Sequence, residues 1–155
     1  GSPAQAHEGD DAQGLDFTHA PRDTLAWGTL AKVGLRRVNG QLARTFLPPV
    51  RSLEGKRITL YGYVTPVEAA RGPARVFLLS SQRIACRGCS TPVEPEGVVE
   101  VTLEKPADLA RLTARSEAWA VRGTLELVDD DASSVLYRLK GGSVVRQKGG
   151  AAQAR

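Results

Sequence analysis

Apolar and polar residues alternate with a period of two in four stretches of this 155-residue chain, and no other feature constrains its fold as much. Such alternation places successive side chains on opposite faces of a β-strand. It occurs in residues 57–64, 99–104, 119–127 and 135–139, and residues 75–81 form an apolar run of strand length. We therefore predict a mainly β domain of five strands, with the last strand continuing through Val144-Val145.

A short helix is predicted between the third and fourth strands. Pro106 stands at a first helical position, and Leu109 and Leu112 are three residues apart. This order of elements is that of the OB-fold, a small Greek-key barrel. Gly62 and Gly123 lie mid-strand, where sharp bends close such a barrel. Another five-stranded barrel or a sandwich is the alternative.

An N-terminal helical segment is predicted before the strands. Asp23 or Thr24 can cap it, its apolar residues return to one side, and Asn39-Gly40 ends it. Pro48-Pro49 then predicts a linking stretch without regular helix.

The domain boundaries follow from composition. Residues 1–22 contain few large apolar groups and are predicted to form a disordered tail, as are residues 149–155. Residues 23–148 are predicted to form a single OB-like domain. Gly1-Ser2 is typical of a cloning scar, so we expect that an export signal has been removed.

Composition limits the function classes. Hydrophobic residues make up 41% and charged residues 25% of the chain, as in an ordinary soluble globule. Its apolar stretches are too short to cross a bilayer. The net charge of +4 is small and spread along the chain, so we do not expect a nucleic-acid-binding stripe.

The only two cysteines, Cys86 and Cys89, lie on the predicted connection between the second and third strands. Three chemistries use this spacing: a structural disulfide, half of a Zn²⁺ or Cu⁺ site, and a thiol redox pair. The redox pair of thioredoxin-type proteins sits at a helix N-terminus, whereas Gly88 and Pro92 predict a turn here. The disulfide is the favoured interpretation, with metal binding second.

The two histidines limit both metal binding and catalysis. His7 and His19 fall in the predicted tail, so Cys86 and Cys89 alone supply two ligands. A full site would need water, carboxylates, the tail or a second molecule. No nucleophile of the predicted domain has a histidine base nearby, so we expect no enzymatic activity and no catalytic residues.

A weak oligonucleotide-binding face is the remaining candidate site, because OB-folds stack bases on aromatic side chains within a basic groove. Alternatively, Tyr61 and Tyr63 pack over the helix or the linker. The candidate residues are Tyr61, Tyr63, Phe77, Arg57 and Arg75.

Three motifs follow one another along the chain: Leu53-Glu54-Gly55-Lys56, Gly62-Tyr63-Val64-Thr65-Pro66 and Cys86-Arg87-Gly88-Cys89. With Trp27-Gly28-Thr29-Leu30, they resemble the bacterial domain-of-unknown-function family numbered 3299 over residues 25–137.

The resemblance implies an exported protein or lipoprotein, and members encoded beside ABC transporter components imply a periplasmic accessory of metal delivery or transporter assembly. One branch of the family carries Cys-x-His in the loop. Here Gly88 stands at the position of that histidine, which leaves Cys89 as its replacement.

These features together predict an exported, monomeric, non-catalytic binding protein that requires no cofactor and acts as an accessory of zinc or copper handling or of ABC-type transport. The rival hypothesis is a structural or protein-interaction module of a transport or export complex, with Cys86 and Cys89 joined in a disulfide.

Overall fold

The computed structural model describes residues 15–67, 72–84, 94–115 and 117–145. The strands in these ranges are β1 (Val33–Val38), β2 (Gln41–Phe46), β3 (Arg57–Pro66), β4 (Ala74–Ser80), β5 (Val98–Ala107), β6 (Ala118–Leu127) and β7 (Tyr137–Val145). The α-helices are α1 (Trp27–Leu30), α2 (Pro48–Arg51) and α3 (Leu109–Thr113), and two 3₁₀ turns span Phe17–His19 and Pro95–Gly97.

Strands β3 to β7 close into a barrel in the order β3-β4-β5-β7-β6. Neighbouring strands are antiparallel except β5 and β7, which run parallel. Helix α3 joins the third barrel strand to the fourth. The prediction of a five-stranded OB-like barrel with a helix at this point is confirmed.

The barrel interior is filled by the residues that alternation places inside. Val99, Val101 and Leu103 of β5 are buried, and Tyr137 and Leu139 of β7 are fully buried. The glycines predicted at bends stand where strands approach closely. A Cβ atom on Gly123 would lie 2.8 Å from Leu139 Cγ and 2.9 Å from the Lys140 carbonyl oxygen.

The N-terminal helical segment is much shorter than predicted. It is the single turn α1, and residues 33–46 form the hairpin of β1 and β2. Asn39 and Gly40 have φ angles of 53° and 79°, the pair of positive values that a two-residue hairpin turn requires. The extension of the helix to Asn39-Gly40 was therefore wrong, because this pair turns a hairpin.

Both proline interpretations also need correction. Pro48 begins α2 at a position where the missing N–H costs no hydrogen bond, so the predicted link contains a helical turn. Pro106 lies at the end of β5. Helix α3 is instead capped by Asp108, whose Oδ1 accepts a 3.1 Å hydrogen bond from the Ala110 backbone N–H.

Arg44 fastens the hairpin to the barrel. Its side chain is 1% exposed, and its guanidinium donates to the carbonyl oxygens of Val128 at 3.0 Å and Val135 at 2.9 Å, and to that of Ser133. The connection from β6 to β7 is thereby held against β2.

Candidate functional site

The segment before α1 packs on the outer face of β3. Leu15 is buried together with Tyr61 and Tyr63, and the Leu25 N–H donates a 2.8 Å hydrogen bond to the Thr59 carbonyl oxygen. The structure thus differs from the predicted tail from Leu15 onwards. The low content of large apolar residues predicted a disordered tail over residues 1–22. A few anchoring contacts nevertheless hold the part from Leu15 onwards on the barrel.

The 3₁₀ turn Phe17–His19 has its own cap. Asp16 Oδ1 accepts hydrogen bonds from the Thr18 backbone N–H at 2.9 Å and from the Thr18 hydroxyl at 2.5 Å. These bonds stabilise the carboxylate and hold the pKa of Asp16 below its usual value. His19 ends the turn with an exposed side chain, so it is carried on the barrel.

Two adjoining cavities of about 260 and 290 Å³ meet beside this turn, and together we call them the stem groove. Tyr63, Arg83 and Glu117 line both cavities. The first cavity is further lined by Val64, Thr65, Pro66, Ile84, Leu112 and Thr113, and the second by Asp16, His19, Tyr61, Arg115 and Ala118.

Charged groups of both signs surround this groove. The Arg83 guanidinium carbon lies 4.9 Å from the centre of the Tyr63 ring. Burial raises the pKa of Tyr63 above its usual value. Two guanidiniums, two carboxylates and an imidazole therefore share one polar groove.

Cys86 and Cys89 lie outside the described residues, as does His7. The described chain that follows β4 ends at Ile84, which lines the stem groove two residues before Cys86. Among the residues that the structure describes, no three histidine, cysteine or acidic side chains are grouped closely enough to hold a metal ion. The disulfide, metal-binding and redox interpretations of Cys86 and Cys89 therefore stay predictions.

The predicted oligonucleotide face is not assembled. Phe77 is fully buried inside the barrel, and Tyr61 and Tyr63 are only 4% and 5% exposed beneath the N-terminal segment. Arg57 and Arg75 are exposed, but none of the three aromatic rings offers a free face for a base. The aromatic part of that prediction was wrong, and the alternation of Phe77 with Leu79 could have shown it.

The outer face of β5, β7 and β6 is electrically balanced. Arg138 pairs with Glu100 at 2.9 Å, and Lys140 pairs with Glu126 at 3.2 Å. Paired charges of this kind leave little net field to attract phosphates.

His19, Arg115 and Glu117 complete the groove. The sequence named the tail with His19 only as one possible source of a further ligand, and it did not select Arg115 or Glu117. Arg115 and Glu117 are two residues apart but far from His19 in the chain, and no local motif joins the three. The one local signal is Asp16-x-Thr18, which is suited to a capped turn that would hold the following residues in place.

No protein-family model matches this chain, and no curated protein matches it. The crystal structure of a DUF3299 family protein from Pseudomonas aeruginosa PAO1 is similar to it, with 24% sequence identity and a TM-score of 0.48. The match covers 66% of this chain and 69% of that chain. The family of that structure is the one that the sequence motifs resemble.

None of the helices in the described ranges has the length and apolar character needed to cross a bilayer.

Proposed function

We propose that this protein is an exported, non-catalytic binding protein for a soft metal ion, with the Cys86 and Cys89 thiols and the His19 imidazole as ligands. One observation carries the proposal. His19 lines the stem groove together with Arg83, and the chain runs from that groove to Cys86 within three residues. The histidine that the sequence placed in a tail is therefore available where the cysteine loop begins.

The donor set suits zinc or Cu⁺. Thiolate and imidazole are preferred ligands of both ions, and Cu⁺ accepts as few as two thiolates. Asp16 is less suited to bind metal because its Oδ1 already accepts two hydrogen bonds from Thr18. The Glu117 side chain has no hydrogen bond or ion pair among the described residues, so it supports a carboxylate role in a four-ligand zinc site.

The arginines of the groove support thiolate chemistry. A nearby guanidinium favours the charged thiolate over the thiol and lowers a cysteine pKa. A Cu⁺ ion held by two thiolates carries a net negative charge, which Arg83 and Arg115 would partly offset. Two thiolates and Zn²⁺ sum to zero charge, so the arginines add no such attraction there. With the two thiolates as the only ligands, the arginines therefore favour Cu⁺ over Zn²⁺.

Cys86→Ser tests the thiolate role. In the reduced protein, we expect this change to lower Cu⁺ or Zn²⁺ affinity by at least about tenfold in competition with a chromophoric chelator. The matched control is Ser52→Ala, which changes a hydroxyl in the turn after α2 and should leave affinity unchanged. An unchanged affinity in Cys86→Ser would rule out a thiolate site.

The second candidate function is a protein-interaction module of a transport complex with Cys86 and Cys89 oxidised. Ile84, which is 37% exposed, lines the stem groove, and Val67, which is 47% exposed, follows Pro66 of the same groove. Exposed apolar side chains favour a protein partner. Native mass spectrometry separates the two functions, since a bound metal adds its mass whereas oxidation to a disulfide lowers the mass by two hydrogen atoms.

The proposed compartment is the periplasm or another exported location, with components of an ABC-type transporter as partners. The family resemblance supports this part of the proposal. Fractionation of cells that express the natural gene with its own upstream region tests it. Recovery in the cytoplasmic fraction alone would contradict export.

A further inference from the structure

A third cavity, of about 500 Å³, lies between the N-terminal segment and the end of β4, and we call it the N-terminal cavity. It shares no lining residue with the stem groove. Its size falls within the range of pockets that hold small molecules. It is therefore a separate site from the one assigned to metal.

The lining of the N-terminal cavity carries no charge and is more apolar than polar. Leu15, Phe17, Leu25 and Trp27 supply large apolar side chains, and Gln82 supplies a side-chain amide. Among the described residues that line this cavity, none is ionisable. A charged ligand would lose water here without gaining a partner of opposite charge, so a neutral ligand is favoured.

The walls of the cavity are fixed without a ligand. The Leu25 N–H donates to the Thr59 carbonyl oxygen at 2.8 Å, and Trp27 Nε1 donates to the Tyr61 carbonyl oxygen at 2.8 Å. The Thr24 hydroxyl donates to the Pro21 carbonyl oxygen at 2.7 Å. A cavity held in this way is preformed, which lowers the entropy cost of binding.

The residues of the printed sequence that lie outside the described ranges are poorly suited to fill the cavity. Residues 1–14, 68–71, 85–93, 116 and 146–155 contain no leucine, isoleucine, methionine, phenylalanine, tyrosine or tryptophan. Exposed valines and leucines of a second copy, such as Val38 and Leu47, stand on separate elements and offer one side chain each. A separate small molecule fits the volume better.

We propose that the N-terminal cavity binds a neutral, mainly apolar small molecule that carries a polar group able to hydrogen-bond the Gln82 amide. The lining combines the aromatic residues Phe17 and Trp27 with a few polar residues, Thr24, Ser81 and Gln82, the mixture that gives small-molecule pockets both affinity and orientation. This site is independent of the metal proposal, because it uses none of the stem groove residues.

The test uses the neutral fluorescent probe N-phenyl-1-naphthylamine, whose emission rises in apolar surroundings. Gly28 lines the cavity, and a Cβ atom there would meet no atom within 4 Å, so Gly28→Phe adds a bulky side chain at the cavity wall without a backbone clash. Gln82→Glu keeps the side-chain shape and adds a charge to the neutral lining. The matched controls are Gly28→Ala and Gln41→Glu, the latter on the exposed hairpin.

We expect saturable binding of one probe per chain, at least about tenfold weaker in both Gly28→Phe and Gln82→Glu and unchanged in the two controls. Absence of saturable binding by the wild-type protein would overturn the proposal. So would full affinity in either cavity variant, because the probe would then bind elsewhere.

Discussion

The indole Nε1 of Trp27 donates a 2.8 Å hydrogen bond to the carbonyl oxygen of Tyr61. This bond fixes α1 against β3 and sets one wall of the N-terminal cavity. The stability of the segment that carries His19 therefore depends on contacts between residues far apart in the chain.

Trp27→Phe should remove this bond to the Tyr61 carbonyl oxygen. We expect the free energy of unfolding to fall by about 1–3 kcal/mol, the cost of the lost hydrogen bond and of lost packing. Urea denaturation measures it. A loss below about 0.5 kcal/mol would show that the segment is not anchored through this bond.

Gly62→Ala should destabilise the barrel. A Cβ atom at this position would collide with the Ser80 carbonyl oxygen and lie 3.1 Å from Trp27 Cζ2, so the strands would have to move apart. We expect a loss of about 2 kcal/mol or more. Gly34→Ala is the matched control, because its Cβ would be 3.8 Å from the Thr45 Cβ atom, an ordinary contact. Equal effects in the two variants would contradict the close-approach explanation.

The barrel was predictable from sequence because its strands obey a period of two. Val99, Val101 and Leu103 alternate with polar residues and are all buried, as the pattern indicates. Tyr61 and Tyr63 occupy the outward positions of β3, where alternation predicts exposure. They are buried because the segment from Leu15 to Trp27 covers them. No local sequence pattern predicts that a segment of this composition packs on the barrel.

The hairpin of β1 and β2 was missed although Asn39-Gly40 is a strong hairpin signal. Its inward residues, such as Val33, Leu42 and Phe46, pack against the barrel core. The apolar spacing before Asn39 also fitted a helix, and only the tertiary contacts decide between the two. The stem groove could not be predicted at all, because His19, Arg83 and Glu117 come together only through the barrel closure.

Arg44→Met should unfasten the hairpin. The guanidinium is almost fully buried, and its loss leaves the carbonyl oxygens of Val128 and Val135 without donors. We expect a loss of about 3 kcal/mol or more in urea denaturation. Arg51→Met is the matched control, because Arg51 pairs with Asp129 at an exposed position and should change stability far less. A loss in Arg44→Met no larger than in Arg51→Met would refute this role.

Tyr137 should make the protein sensitive to alkali. Its hydroxyl donates a 2.5 Å hydrogen bond to the Leu30 carbonyl oxygen, and burial, together with the charge of Glu96, raises the pKa of this phenol. The folded state holds the proton more tightly than the unfolded state, whose phenol titrates near pH 10. Stability from this group is thus complete below about pH 10 and is lost as pH rises above it, by at most about 1.4 kcal/mol per pH unit.

Urea denaturation of wild type and Tyr137→Phe between about pH 8 and pH 11 checks this sign. We expect the variant to be less stable at neutral pH and to lose less stability with rising pH. Identical slopes above about pH 10 would exclude Tyr137 as the source.

We propose that the N-terminal segment positions His19 to bind metal together with Cys86 and Cys89. Zinc titration of the reduced protein against a chromophoric chelator tests it most directly, with His19→Ala compared with His7→Ala, the only other histidine. We expect an affinity at least about tenfold lower in His19→Ala and unchanged in His7→Ala. Equal affinities in wild type and His19→Ala would contradict it.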